Sequence, residues 1–86
     1  MTYRVVTTPR FEKETKVLFK KDPVLFNRFK KAATSIRDNP ECGKPLRNVL
    51  KGYRRVHVGH FVLIYEIDGD NNIITLVSFT HHDKAY

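Results

Sequence analysis

Tyr53, Arg55 and His57 stand at every second position of one β-prone run, and on a strand that spacing places all three on one face. An imidazole with an ordinary pKa near ~6.5 takes or gives a proton at neutral pH. A guanidinium holds fixed positive charge where negative charge develops. An aromatic ring holds a flat partner by stacking. The tail Thr80-His81-His82-Asp83-Lys84-Ala85-Tyr86 adds a second source of imidazole and a terminal aromatic. It leaves the same sheet as His57 and is long enough to fold over the open face, a meeting that sequence alone does not prove. His60, in a turn, and His81 are read as incidental surface residues. No metal-ligand spacing recurs among the histidines, so no metal site and no cofactor is expected.

Such a face needs a sheet covered on its other side. Residues 3–7 are rich in β-branched types and read as a short strand. Thr8-Pro9 marks a helix start, and Phe11, Thr15, Leu18 and Phe19 fall at helical spacing over residues 9–21. Asp22-Pro23 repeats the signal for a second helix over 23–38, with Phe26, Phe29, Ala33 and Ile36 as its apolar stripe and Asn39-Pro40 as its stop. Almost no loop separates the two, which predicts a helical hairpin. Residues 39–52, with Gly43, Pro45 and Gly52, read as an irregular connection. Three strands follow over 53–58, 61–68 and 73–80. Gly59-His60 is a two-residue type II′ loop between the first two, and Gly69-Asp70-Asn71-Asn72 joins the last two.

The two-residue loop fixes parity. If Val58 faces Phe61, then Val56, Val58, Phe61, Leu63, Tyr65 and Ile67 share an apolar face that belongs under the helices. Tyr53, Arg55 and His57, beside Val62, Ile64 and Glu66, share the other. The expected fold is α+β in the order β-α-α-β-β-β, a small antiparallel sheet with a helical hairpin on one face.

The chain has 86 residues, 16 Lys plus Arg against 9 Asp plus Glu, and a net charge of +7. That length predicts one domain over 1–86. The longest apolar run, Phe61-Val62-Leu63-Ile64-Tyr65, is far short of the ~20 residues of a membrane span, and no signal core is visible. Cys42 is the sole cysteine, which excludes an intrachain disulfide and a cysteine-based zinc site and predicts a reducing, cytoplasmic setting without membrane contact. The basic balance predicts an acidic partner.

Gly52-Tyr53-Arg54-Arg55-Val56-His57-Val58, the strand Phe61-Val62-Leu63-Ile64-Tyr65-Glu66-Ile67, the approach Gly43-Lys44-Pro45-Leu46 and the ending His82 to Tyr86 together resemble the RelE/ParE superfamily of type II toxins. The nearest resemblance is to the YafQ-type mRNA interferases. This implies a metal-independent endoribonuclease that cleaves mRNA on the ribosome and is silenced by a cognate acidic antitoxin. It implies His57, His82, Lys44 and Tyr86 as active-site residues. The chemistry of the residues adds Arg55 as a catalytic cation, although the YafQ branch carries acids at the positions of Arg55 and His60. Tyr53, Arg54 and Arg47 are read as substrate contacts, Arg54 from a strand end that alternates to the helix side. Val62 stands where many RelE-like members carry Arg. The superfamily also implies a rival without catalysis: ParE-type members block DNA gyrase by protein contact, which needs none of His57, His82 and Tyr86.

Overall fold

The structure is a computed structural model that describes residues 3–47 and 52–84. Tyr86 and part of the 39–52 connection lie outside the described residues. Strand β1 (Arg4–Thr7) leads into helices α1 (Pro9–Lys21) and α2 (Pro23–Asp38). A 3-10 turn (Pro40–Cys42) and the two-residue strand β2 (Lys44–Pro45) follow. The chain then forms β3 (Tyr53–Val58), β4 (Phe61–Asp68), β5 (Ile73–His81) and a closing 3-10 turn (His82–Lys84). No helix among the described residues is long and apolar enough to cross a membrane.

Both helices start where the capping chemistry places them. The Thr8 hydroxyl accepts from the Phe11 amide at 3.1 Å, and the Asp22 carboxylate accepts from the Leu25 amide at 3.0 Å. Asp22 also ends α1, its amide donating to the Leu18 carbonyl at 3.0 Å, so one residue serves both helices. The apolar stripe of α2 is rotated from the expected one. Leu25 and Ile36 are buried, with Phe29 and Ala32 packed beside them, while Phe26 is 37% exposed. Phe26 packs on Phe19 instead, with ring centroids 5.1 Å apart.

The five strands form one open sheet in the order β1-β5-β4-β3-β2. The meander β3-β4-β5 is antiparallel, as expected, and Val58 pairs with Phe61. Gly59 has φ 63° and His60 has no positive φ, the sign pattern of a type II′ turn. Two features correct the sequence reading. β1 runs parallel to β5, because the helical hairpin carries the chain away from one sheet edge and the meander returns β5 to it. And the connection after α2 is not wholly irregular, since β2 extends the opposite edge, Lys44 against Arg55 and Pro45 against Arg54. Proline is tolerated there because an edge strand has a side that makes no ladder bond.

A bulge fits the sheet to the helices. Ile64 pairs with Ser78 but Tyr65 pairs with Leu76, leaving Val77 unmatched. The carbonyl of Val77 accepts from the Thr8 hydroxyl at 2.8 Å, so the cap of α1 is fastened to the bulge. β1 ends opposite Leu76, and the Phe79 amide beyond it donates to the Glu14 carboxylate of α1 at 3.0 Å. Phe11, Leu63, Tyr65, Ile74, Leu76 and Phe79 fill the core between the layers.

Tyr65 ties the core to the connection. Its hydroxyl donates to the Pro40 carbonyl at 2.6 Å and accepts from the buried Gly43 amide at 3.0 Å. Gly43 is glycine for want of space: a Cβ there would sit 2.7 Å from the Arg55 carbonyl oxygen and 2.5 Å from the Tyr65 hydroxyl. Tyr65→Phe is therefore expected to cost about 1–3 kcal/mol, since it leaves a buried amide without its acceptor. Burial pushes the Tyr65 phenol up to about 12, outweighing the Gly43 hydrogen bond that lowers it. The folded state then keeps this proton where the unfolded phenol, at 10.0, has lost it. The phenol's contribution to stability is thus intact below pH 10 and drains away as pH rises towards about 12. Denaturant midpoints measured across this window should fall more steeply for the wild type than for Tyr65→Phe; parallel curves would refute the assignment.

Candidate functional site

The face of the sheet turned away from the helices carries the residues singled out by parity. Tyr53, Arg55 and His57 alternate along β3 opposite Glu66, Ile64 and Val62 of β4. Lys44 lies across from Arg55 on β2, so Lys44, Arg55 and His57 form a cationic corner with a titratable group at one end. His57 and Lys44 are exposed, while Tyr53 and Arg55 are half-buried.

The floor is drier than an open face suggests. Val62 is 0% and Ile64 7% exposed, though neither belongs to the helix-side core. They lie on β4, the central strand, and are shaded on both flanks, by His57 and Arg55 on β3 and by Thr80 and Ser78 on β5. An apolar floor beside fixed cations strengthens their field at a bound anion.

The described tail does not cross this face. β5 runs one residue further than expected, so His81 pairs with Phe61 on the helix side, ring centroids 5.6 Å apart. The chain then turns, and the His82 amide donates to the His60 carbonyl at 3.0 Å. His82 Nδ1 lies 3.3 Å from the same carbonyl oxygen, and its Nε2 lies 2.9 Å from Asp83 Oδ1. His82 thereby sits at the Gly59-His60 turn, the end of the sheet where His57 lies two residues before that turn. The two imidazoles share an end of the molecule. Among the described residues, however, the hydrogen-bonding neighbours of His82 are His60 and Asp83.

Arg54 is engaged by its own chain. It lies on the helix-side parity, and its Nη1 donates to the carbonyls of Gly43 at 2.7 Å and Glu41 at 3.3 Å. It fixes the connection that presents Lys44. Arg47 is exposed just past β2, after Leu46 donates its amide to the Tyr53 carbonyl at 2.9 Å. Sequence reasoning also missed the gathering of His81, His82 and Asp83, whose potential ligand atoms all lie within 4.8 Å of one another. The adjacency was visible; the turn that folds it up was not.

Known proteins share this fold. The family model of the ParE toxin of the type II toxin-antitoxin system parDE matches residues 5–86. The protein named RelE4 of Methanocaldococcus jannaschii is 33% identical over 85 residues, 98% of this chain and 90% of that protein. The toxin-antitoxin complex RelBE2 from Mycobacterium tuberculosis contains a chain that is 25% identical with TM-score 0.80, covering 95% of this chain and 100% of that one. YafQ from E. coli is 22% identical with TM-score 0.77, covering 98% of each chain, and it bears on the fold alone. The charged strand β3, the two-helix cover, the open sheet and the extent of these matches lead to one conclusion: the chain belongs to the ParE toxin family of type II toxin-antitoxin systems, within the RelE/ParE superfamily.

Proposed function

We propose that this toxin is an endoribonuclease that cuts mRNA on the ribosome and is held inactive by a cognate acidic antitoxin. The observation that carries the reading is the row Lys44, Arg55 and His57 on one exposed face, with His82 at the same end of the sheet. One imidazole takes the 2′-OH proton, and O2′ attacks the adjacent phosphorus. Arg55 and Lys44 stabilise the phosphorane, and the other imidazole protonates the departing 5′-oxygen. Tyr53, next to Arg55 along the row, and the exposed Arg47 are assigned as substrate contacts, whereas Arg54 acts by holding the 41–43 backbone. The antitoxin is supported by the complexed relative RelBE2 and by the charge of +7.

The test is purified toxin added to ribosomes translating a defined mRNA, with cleavage mapped by primer extension. Discrete cuts that vanish in His57→Ala are expected, and intact mRNA at saturating toxin would overturn the reading. A second reading, inhibition of DNA gyrase without catalysis, is favoured by the ParE name of the matching family model. It is decided by a supercoiling assay in which His57→Ala stays as inhibitory as wild type.

Tyr86 is assigned the stacking of a substrate base. A phenol with an ordinary pKa near ~10 is a poor base at neutral pH, and base–aromatic stacking is worth roughly 1–3 kcal/mol. Tyr86→Phe should keep most single-turnover activity, while Tyr86→Ala should lose about 5- to 150-fold. Equal, large losses in both variants would reassign the role to the hydroxyl.

A further inference from the structure

We propose that His81, His82 and Asp83 bind one divalent transition-metal ion of the zinc type, and that its binding withdraws His82 from proton transfer. The second half rests on the nuclease reading; the first does not.

The donor set is two imidazoles and a carboxylate, a combination suited to zinc, nickel and copper ions. His82 Nε2 lies 2.9 Å from Asp83 Oδ1, and His81 Nδ1 lies 3.5 Å from Asp83 Oδ2. Ligands bound at ~2.0–2.2 Å stand roughly 3 to 3.5 Å from one another, and the three donors here lie within 4.8 Å, so binding draws the side chains together by about 1 Å.

The hydrogen bonding around the cluster prepares it. The His60 carbonyl accepts from the His82 amide and lies 3.3 Å from Nδ1. A carbonyl oxygen has no proton to give, so the tautomer that satisfies it carries hydrogen on Nδ1. Metal-bound histidines are oriented in this way, the second ring nitrogen donating to a backbone carbonyl. The Nε2 lone pair then faces a carboxylate oxygen at 2.9 Å, an arrangement of two acceptors that needs a positive centre between them. A proton or a metal ion can provide it.

His81 differs. The Asp83 amide donates to its Nδ1 at 3.4 Å, a long bond that an ion must displace to reach that lone pair. Its ring packs edge-on against Phe61 and stacks on His60 at 6.3 Å. His60 contributes its carbonyl and a packing surface, not a ligand.

The experiment is calorimetric titration of metal-free, full-length toxin with Zn²⁺, paired with Cu²⁺ electron paramagnetic resonance. One ion per chain is expected, with nitrogen coupling from two imidazoles. His81→Asn, His82→Asn and Asp83→Asn, each checked for folding by circular dichroism, should weaken Zn²⁺ binding by about 100-fold or more. His60→Asn should bind as wild type. Absence of saturable binding would mean that a proton alone bridges the cluster, and equal weakening in His60→Asn would overturn the ligand set.

The cleavage assay tests the second half. Zn²⁺ should suppress cutting by wild type and a chelator restore it, while His81→Asn should cut and resist suppression. Stoichiometric binding with undiminished cleavage would overturn the withdrawal of His82. Absence of cleavage in metal-free wild type would overturn the nuclease reading and leave the binding result standing.

Discussion

Replacing His57 with alanine is expected to cut single-turnover mRNA cleavage by about 10²–10⁴-fold, the usual scale for losing a general acid or base. His82→Ala should lose on the same scale. Neither should unfold the chain, because His57 is exposed and His82 lies outside the buried core. Exposed substitutions away from caps and cavities change stability by only ~0.5 kcal/mol. The two differ in what else they disturb. His57 projects from a strand whose backbone pairing is independent of its side chain. His82 also has its ring beside the His60 carbonyl and Asp83, so its loss removes those side-chain contacts and leaves the backbone bond to the His60 carbonyl in place. His82→Asn preserves a donor for the carbonyl but not the proton chemistry, and it should be as inactive as His82→Ala. Rates measured with chelator present, with circular dichroism of each variant, check this. Wild-type rates in His57→Ala and His82→Ala would remove both imidazoles from the reaction.

A substrate carrying 2′-deoxyribose at the scissile nucleotide should not be cut at all on the experimental timescale. The nucleophile of the proposed step is the 2′-oxygen itself, so its removal abolishes the reaction rather than slowing it. The fragments from normal RNA should end in a 2′,3′-cyclic phosphate or 3′-phosphate on one side and a 5′-OH on the other. The open face supports this route through its charge. Lys44 and Arg55 are cations, and Glu66, opposite Tyr53 on this face, is a single carboxylate rather than a cluster suited to hard divalent ions. Programmed ribosomes with the modified mRNA, assayed in chelator, decide the matter. Continued cutting of the deoxy substrate would refute 2′-OH attack.

The local chemistry of this chain was written plainly in its residues. Thr8-Pro9 and Asp22-Pro23 started both helices where the caps now sit, because an N-cap oxygen and the proline behind it act within one turn. Gly59-His60 set the register of β3 on β4, and strict alternation then assigned Arg55 and His57 to one face and Val56, Val58, Leu63 and Tyr65 to the other. The rotation of the α2 stripe from Phe26 to Leu25 was less legible, since both residues are apolar and only the packing of Phe26 on Phe19 decides between them.

Only the tertiary structure decided the rest. The parallel pairing of β1 with β5, the bulge at Val77 and its bond from Thr8 join residues nearly seventy positions apart, and no periodicity within either segment encodes such a contact. Arg54 alternates as a strand residue should, yet whether its guanidinium meets solvent or the Gly43 carbonyl depends on where the connection after α2 is laid. The same holds for the tail. Its two histidines and aspartate are adjacent in sequence, but their convergence comes from a turn anchored on the His60 carbonyl, and a backbone acceptor carries no residue-specific signature.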